Sequence, residues 1–278
     1  MSLWFELAAS GLITGGIYAV VAIGLNLQYG LMRILNISHG EFLMLGAYLT
    51  WLGYSVLQVN PLVFLPVVAL VLFMVGVAVY RLCFHRIVST APAVEVIEAR
   101  SLLVGFGLLY LVQNAAYLAW GADLRGYSFL TEPVEIMGAR FTANRLVVFG
   151  FAVGASLALL AVLRFTLIGK AVRAMMQSPT GAQLVGIDTR VLHPVVFGAG
   201  LALAGVAGAL LSMVYEISPA MGEPYTITAL IVIVLGGFLL GLVETFGMHF
   251  TSPSLKMLLS YSVLIGVLLA RPKGLFAR

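Results

Sequence analysis

Cysteine and charge are both scarce in this 278-residue chain. Cys83 stands alone, which excludes an intrachain disulfide and any metal site built on several thiolates. The histidines at 39, 85, 193 and 249 are too scattered to predict a metal cluster. Only 9% of the residues are charged, against roughly 25% in a soluble domain. The composition therefore argues against a water-soluble globular protein.

Apolar residues are abundant instead, at 62% of the chain with a mean hydropathy of +1.08. They form runs near 7–29, 42–58, 62–80, 101–120, 144–163, 193–214, 225–250 and 257–270. A full bilayer crossing needs ~20 apolar residues, and the first run lacks the preceding basic residues of a signal peptide. We therefore predict an all-α, polytopic integral membrane protein, a single domain over 1–278 with about eight to nine transmembrane helices, some short or broken.

The basic residues lie in short loops between these runs. They cluster at 81–100, 164–190 and 271–278, which the positive-inside rule places on the cytoplasmic side. The loop 121–143 and the turn 216–224 are then external. Because the net charge of +4 is distributed over these loops, it does not indicate nucleic-acid binding.

The seventh apolar run creates a problem of parity. If 225–250 were a single crossing, the basic end of the chain would lie outside the cell, against the charge rule. A turn near "LGGF" would divide the run into two crossings of about 13 residues each, which is shorter than the ~17 of a full span. We therefore predict a gap or an unusually short turn at Gly237–Phe238.

Small residues recur at helical spacing in two runs. Such stripes allow helix backbones to approach closely in lipid, either inside one bundle or between subunits. Both interpretations are open for Gly11, Gly15, Ala19, Gly200, Ala204 and Gly208.

The stretch "RILNISHGEFLMLG" at 33–46 places several polar residues between two apolar runs. The spacing of Ser38 and Glu41 predicts a capping box, with a helix that begins near His39. This start either caps a helix at the cytoplasmic interface or forms a break at membrane depth that lines a cavity. The second interpretation gives a predicted substrate path of Asn36, Ser38, His39, Glu41, Gln113 and Asn114, the last two being polar residues of the fourth apolar run.

The longest cytoplasmic stretch contains "GKAVRAMMQSPTGAQLVGID". Its first half, 169–177, is basic and amphipathic, Ser178 and Pro179 begin a second short helix, and Gly186 ends it. Two short helices are thus predicted across the cytoplasmic face, as a surface connector or as a docking site. The "GK" pair lacks the other residues of a Walker A loop, so we do not expect ATP binding by that mechanism.

These motifs carry a resemblance to a known family. "GLITGGIYAVVAIGLNLQYGLMRILNISHGEFLMLGAYL", "GKAVRAMMQSPTGAQLVGID", "VIVLGG" and "RPKGLF" resemble the membrane permeases of branched-chain amino-acid type ABC importers. The resemblance implies a multi-pass subunit of the bacterial inner (plasma) membrane that transports branched-chain amino acids or small polar solutes such as urea and amides. It also implies a transport subunit without an ATPase site or other enzymatic activity.

The resemblance further implies partners and a coupling segment. The partners are a second related permease, two ATPase subunits that bind ATP and Mg, an external substrate-binding protein and membrane lipid, with no cofactor or metal in this chain. The segment at about 165–190 would dock the ATPase, through Gly169, Lys170, Arg173, Ala182, Gly186 and Asp188. The chain departs from the family pattern in two places. It has Thr-Gly-Ala at 180–182 where other ABC importers often have Glu-Ala-Ala, and it lacks the Gly-rich residues that follow the Gly-Gly pair in the family, after Gly237.

An ion-coupled secondary transporter is the alternative function. Glu41 and Glu244 are ionisable residues within apolar runs and are the candidates for coupling an ion or proton. ATP dependence of uptake distinguishes the two functions. An intramembrane enzyme is not expected, because no catalytic constellation has usable spacing.

Overall fold

The computed structural model describes residues 2–136, 139–235, 237–250, 252 and 255–270. The amino-terminal half contains α1 (Ser2–Met32), α2 (His39–Ser55), α3 (Pro61–Val79), a π-helical turn (Tyr80–Phe84), α4 (His85–Thr90) and α5 (Val94–Trp120). The other half contains α6 (Ala143–Phe165), α7 (Leu167–Gln177), α8 (Pro179–Leu184), α9 (Thr189–Ser212), α10 (Gly222–Leu235), α11 (Gly237–Phe250) and α12 (Lys256–Ala270).

The predicted polytopic helical architecture is confirmed. Within the described residues, five helices are long and apolar enough to cross a membrane. α10, α11 and α12 are also apolar but shorter. A small addition to the all-α expectation is a hairpin of β1 (Pro133–Ile136) and β2 (Ala139–Thr142) in the loop after α5.

α9 is the centre of the bundle. In its most apolar window 72% of the residues are buried inside the protein, against 11% for α6. α9 packs against α1, α2 and α3, whereas the outer faces of α3, α5 and α6 expose Leu and Val side chains. Exposed apolar faces of this kind suit contact with lipid, because the acyl chains are themselves apolar.

Glycines set the closest helix crossings. A Cβ on Gly24 would lie 2.6 Å from the Gly200 oxygen, and one on Gly11 would lie 3.0 Å from the Gly241 oxygen. A Cβ on Gly208 would overlap the carbonyl of Leu43. The two small-residue stripes therefore serve packing within this chain, the first of the two interpretations.

Two of the three basic segments lie at one end of the bundle. A cavity there of about 750 Å³ is lined by the end of α1, by α4 and by the start of α9, including Arg33, His85 and Arg190. This arrangement agrees with a cytoplasmic location for both segments. The third segment, 271–278, lies outside the described residues.

The predicted gap or short turn at Gly237–Phe238 lies close to the junction of α10 and α11. α10 ends at Leu235 and α11 begins at Gly237, and residue 236 lies outside the described residues. The predicted gap or short turn therefore stays a prediction. Both helices pack along α1.

Residues 121–136, which follow α5, lie at the opposite end of the bundle. Tyr127 reaches from this loop to the end of α9, where its hydroxyl lies 2.9 Å from the Ser212 hydroxyl. Burial raises the pKa of Tyr127 to about 12, although the Ser212 hydrogen bond opposes the shift. The phenol therefore stays protonated and anchors the loop on the bundle.

Candidate functional site

The chain between α1 and α2 turns back into the bundle before α2 begins. His39 lies beside the middle of α1, with its Nε2 3.1 Å from the Val21 oxygen. Val21 precedes the end of α1 by about three turns, or roughly 16 Å. In a hydrocarbon core of ~30 Å this depth is close to the middle. The structure therefore favours a helix break at membrane depth over a cap at the interface.

α5 holds the other side of this break. The Leu35 amide donates to the Ser101 hydroxyl at 3.0 Å, and Gly105 packs against the backbone of 35–37. A Cβ on Gly105 would lie 3.0 Å from the Ile37 nitrogen. The glycine thus lets α5 approach an unwound backbone whose polar groups need partners inside the protein.

A directional chain of hydrogen bonds fixes the break. The Ser38 hydroxyl donates to the Asn36 oxygen at 2.7 Å, and the Asn36 amide donates to the Gln28 oxygen at 3.1 Å. The Gln28 amide in turn donates to the Phe197 carbonyl in α9 at 3.3 Å. The Gly40 amide, at the start of α2, donates to the Thr226 hydroxyl in α10 at 2.7 Å. Side chains from three helices therefore replace the hydrogen bonds that a continuous helix would have made.

The predicted capping box is wrong. α2 does begin at His39, but Ser38 makes no side-chain cap and bonds Asn36 instead. Glu41 is fully buried, and neither carboxylate oxygen has a hydrogen-bond partner in the described part of the chain. Tertiary partners outcompete the local cap here because α10 supplies a hydroxyl to the first turn of α2.

Glu41 and His39 are the two ionisable side chains at the break. A Cβ on Gly222 would lie 2.7 Å from a Glu41 carboxylate oxygen, so the carboxylate faces the first turn of α10, where the helix dipole favours negative charge. The Val21 carbonyl only accepts, so His39 Nε2 carries the proton. Its Nδ1 is buried without a partner among the described residues.

The structure does not bring Gln113 and Asn114 to this cluster. Both lie farther along α5 than Gly105, the residue that contacts the break. Asn114 is exposed, and its amide donates to the Tyr110 carbonyl of its own helix at 2.7 Å. The four residues of the break therefore form one group without them.

A second feature is a cavity of about 290 Å³ on the other side of α10. We call it the Glu244 cavity, and its walls come from α1, α10, α11, α12 and the segment after α9. The Glu244 carboxylate accepts hydrogen bonds from the Tyr18 hydroxyl at 2.8 Å and the Ser260 hydroxyl at 2.6 Å. A buried carboxylate inside a membrane protein is costly, so its presence is a signal of function.

Only the first turn of α10 separates this cavity from the break. Pro224 and Tyr225 line the cavity, whereas Gly222 contacts Gly40 and Thr226 binds its amide. The neighbouring residues of one helical turn thus contact the two polar regions from opposite sides.

The segment 165–190 has the predicted form. α7 and α8 are two short helices, and Thr166, Ser178 and Asp188 each accept a backbone N–H at a helix start. Gly186 has a φ of +88°, and the Ile187 amide bonds the Ala182 carbonyl, which gives the expected glycine stop.

The six predicted coupling residues fall into two groups. Lys170, Arg173 and Asp188 are exposed, and open space surrounds the Cβ position of Gly186. Gly169 and Ala182 are buried inside this chain. Gly169 packs so closely on the end of α6 that a Cβ there would overlap the Val162 and Leu163 carbonyls. Within this chain these two residues hold α7 and α8 against the bundle.

Sequence reasoning missed several partners of these sites. Gln28 carries a usable signal, since an amide inside an apolar run needs a partner. Ser101, Thr226 and Ser260 carry none, because small hydroxyls in membrane helices often bond their own backbone. The exposed apolar side chains of Leu184 and Val185, at the end of α8, were also missed.

A helical bundle with a break at half depth, buried polar groups and an adjoining cavity defines a membrane permease. The chain belongs to the family described as "Branched-chain amino acid transport system / permease component", whose model matches residues 7–268. This confirms the resemblance and a location in the inner membrane as a multi-pass transport component.

The chain is similar to named relatives over almost its whole length. It is 27% identical over 295 residues to the high-affinity branched-chain amino acid transport system permease protein BraD of Pseudomonas aeruginosa, covering 99% of this chain and 96% of the relative. It is 28% identical over 290 residues to LivH of Escherichia coli, covering 97% and 94%. A probable LivH of Methanocaldococcus jannaschii is 27% identical over 234 residues, covering 81% and 72%. No solved structure matches the chain.

Proposed function

We propose that the chain is the membrane-spanning permease subunit of an ATP-driven ABC importer. Its solutes are branched-chain amino acids or related small polar organic molecules such as urea and amides. It works with a second related permease, two ATPase subunits that bind ATP and Mg, and an external substrate-binding protein. The names of the relatives support branched-chain amino acids as the solutes.

The observation that carries this proposal is the break at Asn36–Glu41. Unwound backbone at membrane depth is tolerated only where it is buried in protein or lines a path for water and solute. The hydrogen-bond chain from Ser38 to Phe197 makes this break rigid, while Glu41 and His39 Nδ1 keep acceptor capacity. A rigid frame with unused acceptors suits a polar solute that must lose its water.

The docking of an ATPase rests on the segment 165–190. Three side-chain caps and the stop at Gly186 make it rigid. Leu184 and Val185 follow at its tip with 84% and 77% of their surfaces exposed. Exposed apolar side chains on a rigid element mark a protein or membrane contact. We assign the contact to the ATPase, since a force applied there reaches the bundle through buried Ala182 and Gly169.

An ion-coupled carrier is the second candidate function. Buried Glu41 and Glu244, on the two faces of α10, favour it, because coupled carriers use intramembrane carboxylates. The ATP dependence of uptake decides between the importer and the carrier.

The test is uptake of radiolabelled leucine into proteoliposomes that contain the permease pair, the ATPase and the binding protein. We expect uptake when Mg-ATP is enclosed in the vesicles and the binding protein is outside, and none with enclosed ADP. Uptake driven by an imposed proton or sodium gradient in the absence of ATP would contradict the importer and support the carrier. The control is an ATPase variant that cannot hydrolyse ATP.

A further inference from the structure

The cavity of about 750 Å³ beside the end of α1 has positive charges in its wall. We call it the Arg33 cavity. Arg33 and Arg190 line it, and none of its lining residues in the described part of the chain is acidic. The acidic residues closest along the chain lie elsewhere or have other partners: Glu95 is exposed outside the wall, Glu98 accepts a tyrosine hydroxyl at 3.0 Å, and Asp188 caps α9. Among the described residues no carboxylate pairs with either guanidinium. The wall therefore attracts anions.

Arg33 has a backbone conformation that is unusual for its type. Its φ is +55°, in the left-handed region where glycine or asparagine usually ends a helix. The Arg33 amide donates to the Tyr29 carbonyl at 2.8 Å, so this residue forms the stop of α1. Its guanidinium lies over the Tyr29 ring, with the central carbon 5.2 Å from the ring centroid. Glycine would make the same turn without strain, so an arginine kept here points to a use of its side chain.

A buried imidazole nitrogen in the wall has no partner. The Tyr80 hydroxyl lies 3.1 Å from His193 Nδ1, and both side chains line the cavity. Tyr80 is buried, and this is the one hydrogen bond of its hydroxyl within the described residues. The hydroxyl is therefore the donor, which leaves the imidazole proton on Nε2. His193 Nε2 has no acceptor in the part of the chain that the structure describes, and the oxygen of an anion would supply one.

Two long helices begin at the cavity. Val94 is the first residue of α5 and Thr189 is the first of α9, and both line the cavity. Asp188 caps α9, whereas no side chain caps α5. The free N–H groups and the dipole at an uncapped helix start favour an anion nearby. The backbone thus adds to the attraction of the two arginines.

The cavity lies at the depth of the phospholipid headgroups. The end of α1 is roughly 16 Å from the level of Val21, which is close to the middle of the membrane. Half of a ~30 Å hydrocarbon core is ~15 Å, so Arg33 lies at the edge of the core. Leu31 and Ile97 give the same cavity an apolar surface that suits the first carbons of an acyl chain. Basic pockets between membrane helices on the cytoplasmic side bind anionic headgroups.

We propose that the Arg33 cavity binds a phosphate group, with Arg33 and Arg190 as charged donors and the His193 Nε2–H as a buried neutral donor. The depth of the cavity makes an anionic phospholipid the expected source of the phosphate. A soluble phosphate ester is the other source, and the experiment separates the two.

A bound phosphate would also stabilise the segment 165–190. Met175 of α7 and Gln183 of α8 line the cavity together with the end of α1. An occupant therefore contacts both short helices and the bundle at once. This effect on ATPase coupling rests on the proposed function, whereas the binding of phosphate does not.

The experiment measures binding to the purified, delipidated permease in detergent by native mass spectrometry. The probes are phosphatidylglycerol, phosphatidylcholine with the same acyl chains, and soluble glycerol phosphate. We expect phosphatidylglycerol to bind at least about tenfold more tightly than phosphatidylcholine, whose headgroup has no net charge. Glycerol phosphate that displaces the lipid at similar concentrations would make a soluble ester the ligand. Glycerol phosphate that leaves the lipid bound would make the phospholipid the ligand.

Variants then assign the binding to this cavity. Arg33→Asn removes the charge and suits the left-handed backbone, so the melting temperature should not fall. The affinity for phosphatidylglycerol should fall by about fivefold or more, as it should in Arg190→Gln. A merely structural role of Arg33 would instead lower the melting temperature and leave the affinity unchanged. The matched control is Arg86→Gln, an exposed charge of α4 that does not line the cavity.

Three results would overturn the assignment. They are equal binding of the two lipids without binding of glycerol phosphate, unchanged affinity in both arginine variants, and an equal loss of affinity in Arg86→Gln. Failure of the proposed function looks different, since ATP-driven uptake would then be absent from the unaltered complex while the permease still binds phosphate. If that complex takes up leucine and the permease binds neither probe in preference to phosphatidylcholine, only the phosphate site is wrong.

Discussion

The break at 36–41 and the segment 165–190, proposed to dock the ATPase and called the docking segment, are both short polar interruptions between apolar helices, yet different forces fix them. Each cap of the docking segment is made by the residue at the helix start itself, as Ser178 does for α8. At the break the partners come from distant helices, as Thr226 does for α2. Water can satisfy a loose end at the cytoplasmic surface, whereas membrane depth demands complete internal satisfaction. Local changes should therefore be tolerated in one region and damaging in the other.

The largest effect is expected at the helix crossings around the break. Gly40→Ala would drive a Cβ into the Gly222 carbonyl, where backbone cannot yield easily. We expect a loss of about 1–3 kcal/mol or more in stability, the usual range for overpacking. Gly107→Ala is the control, because the Cβ position there is open, and it should be neutral or stabilise by about 0.5–1 kcal/mol. Melting temperature and yield in detergent measure both, and equal losses would contradict the crossing argument.

The second-largest effect comes from two substitutions in the break, one expected to lower stability and the other to lower uptake. Asn36→Leu removes the hydrogen-bond partners of the Gln28 side-chain oxygen and of the Ser38 hydroxyl, at a cost of about 1–3 kcal/mol for each buried group. Glu41→Gln removes no hydrogen bond found among the described residues, so melting should change little. If Glu41 faces the solute path, uptake falls instead. A drop in melting temperature for Glu41→Gln as large as for Asn36→Leu would make Glu41 a structural residue.

The contrast between local and distant partners also explains which parts of the fold and of the site could be predicted from the sequence. The two short helices α7 and α8 and the start of α2 at His39 rest on local chemistry, and the structure has them. The capping box at Ser38 and Glu41 was wrong, because spacing cannot reveal that α10 lies beside the first turn of α2. The Glu244 cavity was missed for the same reason: Tyr18 and Ser260 are far from Glu244 in sequence.

The third effect concerns coupling. Gly186 has a left-handed backbone, which costs a residue such as leucine about 1–2 kcal/mol and which asparagine tolerates better. Gly186→Leu should therefore disturb the turn that presents Leu184 and Val185, and the assembled permease pair should lose stimulation of the ATPase. Gly186→Asn should keep most of it. Substrate-stimulated ATP hydrolysis in proteoliposomes is the measurement, with co-purification to follow assembly. Full stimulation in Gly186→Leu would leave a membrane-surface connector as the better account.

The smallest effect is expected from the exposed charges of α7. Lys170 has no contact that would fix its position in the described part of the chain, and Arg173 makes only one long hydrogen bond, 3.3 Å from the Arg164 carbonyl. Such charges at the edge of an interface change the association rate more than the affinity. Lys170→Gln should slow ATPase association by no more than about threefold at low salt, and the difference should vanish near about 0.5 M salt, where screening is strong. Arg86→Gln, an exposed charge of α4 outside the docking segment, is the control. A large loss for Lys170→Gln that persists in high salt would show a buried ion pair with the partner, and the docking segment would then resemble the break in depending on distant groups.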